Sequence, residues 1–443
     1  MIRGRVEYSV VARLLAFVPA ILGFALFGPV ACAATFYCDP VLGSPQGDGS
    51  SLRPWRTLQE VVAAKKIQIL ELNGTSSNPT APVKPGDTVL LRSGYHGILY
   101  ITKGYNPETI TIAADEGATP QLGWVEIREG QRWLLKGLTI SPEFATDSKK
   151  SPPSELVKLA EHGGAESCEM VIEDCFICTT FDSSNWTADD WVNNAKSGIR
   201  LGRHGRGHVA RNNFLLNVRF GINLCAVDCL CEGNVICNFS GDGIRALRDG
   251  LTVQYNIIKN NYCGTDDGDP NHDDGIQVFL FNVGTGTVRD MVIRGNLIVA
   301  SESDDLPFSN PLMGISCFDG PLVDFLVEDN VVNADNYHGI SLYDAQGCLI
   351  RNNTCYSSWN TKPKPWIMLG QNLNLASGNT VTDNFAHSYN FRADTQVTSV
   401  NNQIVTETVF DQKYTDLASQ IIQRFGNWHP TANQYRFNPA TNP

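Results

Sequence analysis

Positive charge is scarce in this sequence. Thirty-four Lys and Arg residues stand against 46 Asp and Glu, a formal net charge of −12 over 443 residues. A broad basic face for nucleic acid is therefore excluded, and a polyanionic ligand would need a local cation to approach. Long apolar runs are missing after Phe27, so no later stretch reaches membrane-spanning length. Helical periodicity is sparse as well. From Thr88 to Ile140 short Val-, Ile- and Leu-rich stretches follow one another between turns, and no long helix intervenes as an alternating βα fold requires.

The apolar run that does exist is at the start. Arg3, Arg5 and Arg13 precede Leu14 to Phe27, and Ala31-Cys32-Ala33 offers a small-residue cleavage site. Residues 1–33 read as a secretory signal peptide, which predicts a secreted or periplasmic protein. Cleavage would remove Arg3, Arg5, Arg13 and Glu7 and take the net charge from −12 to −14. Of 13 cysteines, many occupy apolar positions of the pattern described next, Cys175, Cys317 and Cys348 among them. They read as small buried hydrophobes. Cys225, Cys229, Cys231 and Cys237 lack the spacing of a zinc ribbon.

What the chain has is a repeat. Gly198-Ile199, Gly221-Ile222, Gly243-Ile244, Gly275-Ile276, Gly314-Ile315 and Gly339-Ile340 mark one strand position. Asn213, Asn234, Asn256, Asn296, Asn330, Asn353 and Asn384 mark a second, mostly followed by two apolar residues. A period as short as 21 to 23 residues with strand-type composition means an all-β solenoid. Alternation points the six Ile, and Leu201, Leu224, Ala246, Val278, Cys317 and Leu342, inward. Arg200, Asn223, Arg245, Gln277, Ser316 and Ser341 then face outward, as do Leu247, Phe279, Phe318 and Tyr343. The Asn column is structural in this reading, bonded from coil to coil at a spacing of about 4.8 Å and suited to left-handed turn geometry. Thr57 caps a short helix, Leu58 to Lys66, which closes the N-terminal end. Asp416 to Phe425 reads as a short helix after the repeat fades. The predicted organisation is residues 1–33 signal peptide, 34–405 solenoid and 406–443 C-terminal helix and tail, the whole acting as a monomer.

Insertions interrupt the repeat at one corner. The step from Asn to the next Gly takes 8 or 9 residues at three places, but 19 from Asn256 to Gly275 and 18 from Asn296 to Gly314. Thr179 to Ser197, with Trp186 and Trp191, is long at the same turn. Such loops predict walls beside the outward column of Arg245 and Gln277. The first of them carries the densest chemistry in the chain, Asp266, Asp267, Asp269, His272, Asp273 and Asp274. Carboxylates this close repel unless a cation offsets them, so Asp266, Asp267, Asp269 and Asp273 are candidate Ca²⁺ ligands.

Coils of this length with these Gly-Ile and Asn steps resemble the right-handed parallel β-helix proteins of the pectate-lyase-like superfamily. The entry is similar too: Phe36-Tyr37, Gly47-Asp48-Gly49, Pro54-Trp55, a helix, then Pro85-Gly86-Asp87-Thr88-Val89. The resemblance covers roughly residues 35 to 400 and implies the fold, with an acidic polysaccharide such as alginate or pectate as partner. Asp269-Pro270-Asn271-His272 and Asp335-Asn336-Tyr337-His338-Gly339-Ile340 resemble segments of uronan C5-epimerases. Asp273-Asp274 and His338-Gly339 are similar to parts of polygalacturonase-type hydrolases, but Asn-Thr-Asp and Arg-Ile-Lys are missing. The resemblance implies a polysaccharide lyase first, with an epimerase, a hydrolase or a non-catalytic glycan-binding solenoid as alternatives.

The chemistry of uronate elimination or epimerisation names the residues. The sugar carboxylate must be neutralised, the C5 proton removed, and a proton delivered. Arg245 and His272 are the candidate bases, and His338 and Tyr343 the more distant candidate acids. Asp242, Arg248, Asp274, Gln277, Phe279 and Phe318 are the candidate substrate contacts, with Arg245 and Arg248 as the expected local positive pair.

Overall fold

Parallel strands build nearly everything in the computed structural model, which describes residues 33–145, 152–262, 272–281, 283–303, 306, 311–360, 362–373, 375–392, 396–426, 429 and 431–432. They stack into three long sheets of 15, 11 and 12 strands, with a small three-stranded sheet beside them. Successive strands of one coil belong to different sheets, and each pairs with its counterpart one coil later. The architecture is a right-handed parallel β-helix.

The inward columns hold it together. Ile199, Ile222, Ile244, Ile276, Ile315 and Ile340 follow each other in register through the 11-stranded sheet, all fully buried in one continuous core. The glycine before each Ile is required by close approach. A Cβ on Gly243 would stand 2.5 Å from Ile258 and 2.7 Å from the Gly275 carbonyl. The described cysteines are free thiols, and all but Cys168 are buried, as their apolar positions predict.

The Asn column forms the expected ladder. From Asn213 through Asn234, Asn256, Asn296, Asn330, Asn353 and Asn384 to Asn402, each Nδ2 donates to the next Oδ1 at 2.9–3.0 Å. The same Oδ1 accepts a backbone N–H, such as that of Asn256 on Asn296 at 3.1 Å. One detail differs from expectation. The left-handed residue is the one before each ladder Asn: Asn212 (φ 54°), Gly233 (66°), Tyr255 (56°), Gly295 (59°), Asp329 (58°). The turn is made there, which frees the Asn to point its amide along the axis.

One helix caps the N-terminal end of the solenoid and another covers one of its sides. The N-terminal helix α1 (Leu58–Ala63) is shorter than predicted, capped by Thr57 and anchored by buried Leu58 and Val61 in the core. After the last strands, α3 (Glu407–Phe425) is nearly twice the predicted length and starts from the Thr406 cap. Its Phe410, Tyr414, Leu417, Ala418, Ile421 and Phe425 pack on the outward face of the 12-stranded sheet, against Phe176, Phe214, Val235, Ile257, Leu297 and Val331. Each of those residues is the first apolar residue after its Asn or equivalent, so this sheet is buried on both sides. Ala34–Pro443 forms one unit that includes the helix. No described helix is long and apolar enough to cross a membrane.

Candidate active site

The 11-stranded sheet carries the outward column. Tyr100, Glu126, Lys158, Arg200, Asn223, Arg245, Gln277, Ser316, Ser341, Met368 and Asn390 succeed one another in register. Neighbours are about 4.8 Å apart, so one sugar ring lies within reach of two or three of them.

Asp242 and Asp274 each stand immediately before the Gly of the pattern, on adjacent coils. Both are buried. Asp242 is ion-paired through one carboxylate oxygen to Arg245 Nε, and its other oxygen accepts the Asp274 backbone N–H at 2.9 Å. Asp274 Oδ2 accepts from His272 Nδ1 at 2.9 Å. Burial, with the nearby Asp242 charge, pushes the Asp274 carboxyl up to about 6, against the hydrogen bond from His272. Burial alone would lower the His272 pKa, but the hydrogen bond and charge of Asp274, with Asp242 and Asp273 behind it, hold it above the ordinary imidazole value. With Nδ1 committed to Asp274, proton exchange with a ligand falls to Nε2.

Arg245 presents the other half of its guanidinium outward. Its carbon lies 3.5 Å from the centroid of the Phe220 ring and 5.9 Å from that of Phe279. The bond to Asp242 uses Nε, which leaves both Nη groups for a ligand. This arginine lines a cleft of about 390 Å³ together with Glu155, Arg200, Phe220, Asn223, Phe279 and Phe281. Arg200 sits under the Phe281 ring at 5.1 Å and is 3.5 Å from both Glu155 and Glu161.

On the other side of His272 the surface turns aromatic. The rings of His272, His338 and Tyr343 each meet Phe318 edge-on, with centroids 5.2, 4.9 and 5.0 Å away. His338 Nδ1 is 2.8 Å from Ser341 Oγ and accepts the Trp366 Nε1–H at 3.4 Å. Burial, helped by the His272 charge, pulls the His338 pKa down to about 4. Trp366 in turn stacks on Tyr337 at 5.3 Å.

The structure thus brings together Asp242, Arg245, His272, Asp274 and Phe318, with His338 and Tyr343 gathered on the same Phe318 ring. Gln277 lies beside Arg245 in register, and Phe279 lines the cleft. Arg248 does not pair with Arg245 as the second cation. Its Nε donates to the Cys225 carbonyl at 3.3 Å, and Arg200 takes that place in the cleft. Arg200 was in the outward column by sequence, and stacking that column at the strand spacing would have found it. Phe220 and Trp366 were harder to find. Phe220 precedes its Gly as Asp242 and Asp274 do, but Trp366 lies on a strand that lacks the Gly-Ile signature.

The calcium expectation and the walls fall mostly outside the described residues. Asp266, Asp267 and Asp269 are among these. Asp273 is described and buried, with Asn261 Nδ2 3.4 Å from its Oδ2. The described wall, residues 179–197, contains α2 (Ala188–Asn193), whose Trp191 stacks on Tyr262 at 4.7 Å.

No family profile matches the chain, and no curated protein matches it. Among solved structures it is similar to a GH136 lacto-N-biosidase from Eubacterium ramulus, at 14% identity over 84% of this chain and 68% of that one, with a TM-score of 0.49. A mannuronic acid specific polysaccharide family 6 lyase from human gut microbiota matches at 13% identity over 80% and 95%, with a TM-score of 0.40. A pectate lyase matches at 12% identity over 86% and 78%, with a TM-score of 0.33. These are likenesses of architecture, and the chemistry has to come from the site's own residues.

Proposed function

We propose that this protein is a carbohydrate-active enzyme that cleaves an acidic polysaccharide by β-elimination on the open face of the 11-stranded sheet. The observation that supports this reading is the pairing of two units on adjacent coils, the Asp274–His272 dyad and the Asp242–Arg245 ion pair. Elimination needs a positioned base and a carboxylate receptor a few ångströms apart, and these units supply one each.

In this mechanism the free Nη groups of Arg245 take the C6 carboxylate of the sugar and spread the charge that develops when C5 loses its proton. His272 Nε2 accepts that proton, and Asp274 holds the ring and stabilises the imidazolium. The C5–H electron pair becomes the C4=C5 double bond as the C4–O bond breaks. Tyr343 supplies a proton to the leaving oxygen. Phe318 keeps the acceptor and the donor on separate sides of one ring.

Calcium enters the reading only through the acidic run outside the described residues. The described carboxylates here have protein partners: Arg245 for Asp242, His272 for Asp274 and Asn261 for Asp273. The N-terminal segment supports action outside the cytoplasm, which the mass of the exported chain would test.

The deciding experiment is turnover on a panel of uronate polymers. Ultraviolet absorbance of an unsaturated product supports the lyase. A changed C5 configuration without chain cleavage would replace it by the epimerase, and new reducing ends without absorbance by a hydrolase. Binding with no chemistry on any polymer would leave a glycan-binding solenoid.

A further inference from the structure

The outward column changes character at Arg245. On its N-terminal side, past the neutral Asn223, stand Arg200, Lys158 and Glu126, three ionisable residues in succession. From Gln277 onward come Ser316, Ser341, Met368 and Asn390, none of them ionisable at neutral pH. Over this second half lies the aromatic layer of Phe318, His338, Tyr343, Trp366 and Tyr337.

Cations do occur around that layer, but they are committed. Arg392 lies over the Tyr343 ring at 5.5 Å and donates to the Gln371 carbonyl at 3.3 Å. Lys364 donates to the Ser357 and Trp359 carbonyls at 3.1 and 2.8 Å. Lys362 faces Asp335 at 3.6 Å. Arg245, by contrast, keeps its Nη groups for the groove, and Arg200 meets its two acids only at 3.5 Å while lining the same cleft. The neutral half instead offers ring surface. His338 is held neutral, and Tyr337 is 53% exposed while its ring stacks on Trp366. Aromatic faces of this kind meet the C–H face of a sugar without requiring charge on it.

We propose that the groove is built for a polysaccharide that carries neutral as well as acidic sugars, rather than for a homopolyuronate. The uronate sits at Arg245, within reach of Arg200, and a neutral sugar further along the chain lies over the Phe318–Trp366–Tyr337 surface, which begins two coils away. A homopolyuronate would place a second carboxylate on that surface, where its desolvation finds no free cation among the described residues. This inference deepens the proposed function and rests on the same site.

The test compares two homopolymers, polymannuronate and polygalacturonate, with two alternating polymers, hyaluronan and the galacturonate–rhamnose backbone of pectin. Calorimetric Kd and the kcat/KM for elimination are measured on each. At least one alternating polymer is expected to bind about tenfold or more tightly than either homopolymer, the scale of one unpaired buried charge. Arg200→Gln should weaken every polymer. Tyr337→Ala should weaken the alternating polymer more than the homopolymers. Equal or tighter binding of a homopolyuronate overturns the inference even if elimination is found. Tight binding of an alternating polymer with no elimination leaves the inference standing and removes the lyase reading instead. If Tyr337→Ala weakens all polymers equally, the neutral subsite is not where we place it, and the inference fails on that arm.

Discussion

Trp366 Nε1 donates its hydrogen to Nδ1 of His338. An indole N–H can only donate, so Nδ1 must carry the lone pair and the proton of the neutral ring is on Nε2. His338 is thereby a fixed neutral donor toward the groove, in contrast to His272, whose Nδ1–H is spent on Asp274 and whose Nε2 accepts. The sequence named His272 a candidate base and His338 a candidate acid, and the partners of each ring show which nitrogen carries its proton.

That difference is measurable without any substrate. Nitrogen-15 spectra should show His338 as the Nε2–H tautomer down to the acid region, titrating at about 4. Trp366→Phe should release the ring to a tautomer mixture. A His338 resonance that titrates near 6.5 in the wild type would show that neither burial nor the indole controls it.

Removal of the dyad should be read through the pH profile. His272 must be neutral to accept a proton, and its pKa lies above the ordinary 6.5. The kcat/KM should therefore fall as pH drops through that raised value, putting the acidic limb above 6.5. Asp274→Asn deletes the main upward influence, so the limb should move to lower pH while the plateau drops. His272→Ala should lower turnover by about 10²-fold or more. An unmoved limb in Asp274→Asn would mean that another group sets it.

Arg245 calls for a different control. Its side chain points away from the core, yet Arg245→Ala would leave Asp242, which is 2% exposed, without its counter-charge. Breaking such a buried pair costs about 3 kcal/mol or more. Arg245→Ala should therefore lose both turnover and thermal stability, whereas Arg245→Ala combined with Asp242→Asn should recover the melting temperature but not the activity. If the double variant regains turnover, Arg245 is a structural partner only.

The Asn ladder predicts a large, local stability effect. Asn296 Nδ2 donates to the Asn330 side chain and the Val253 carbonyl, and its Oδ1 accepts from Asn256 twice. Asn296→Ala should cost about 3 kcal/mol, since several buried groups lose partners at once. Urea unfolding would register this, and a change under 1 kcal/mol would show that water replaces the amide.

His208 makes the fold acid-sensitive. It is fully buried between Ser167 Oγ at 3.2 Å and the Met170 N–H, and burial holds its pKa at about 4 instead of 6.5. The unfolded chain takes up a proton between these values and the folded chain does not. Stability present above 6.5 is thus lost as pH falls toward 4, by about 3 kcal/mol at one unit per 1.36 kcal/mol. His208→Gln should flatten the pH dependence of the melting temperature over that interval.

Much of the scaffold was legible because a one-dimensional repeat writes each contact several times. The Gly-Ile and Asn columns gave the inward faces and the ladder before any coordinates. The site was legible where it used those columns, as with Asp242, Arg245 and Asp274, while His272 was named from the acidic insertion beside them. It was less so where contacts ran between loops and coils of irregular length, as with Trp366 on His338. The long α3 was missed although its signals were present. Phe410, Tyr414, Leu417, Ile421 and Phe425 recur at helical spacing. The two apolar residues after each Asn also announced a sheet with both faces to hide. The short reading of that helix counted only its most regular turns.

That helix has a mechanical consequence. Its Phe410 stacks on Tyr356, while Phe425 at the other end meets Tyr255 and closes on Gly233, where a side chain could not fit. Further along, His429 reaches the Phe176 ring. From Glu407 to His429 the chain therefore runs back along its own stack, like a splint laid across coils already wound. A pull from the C-terminal side of α3 therefore loads the last coil only after the helix has been stripped from the sheet beneath it.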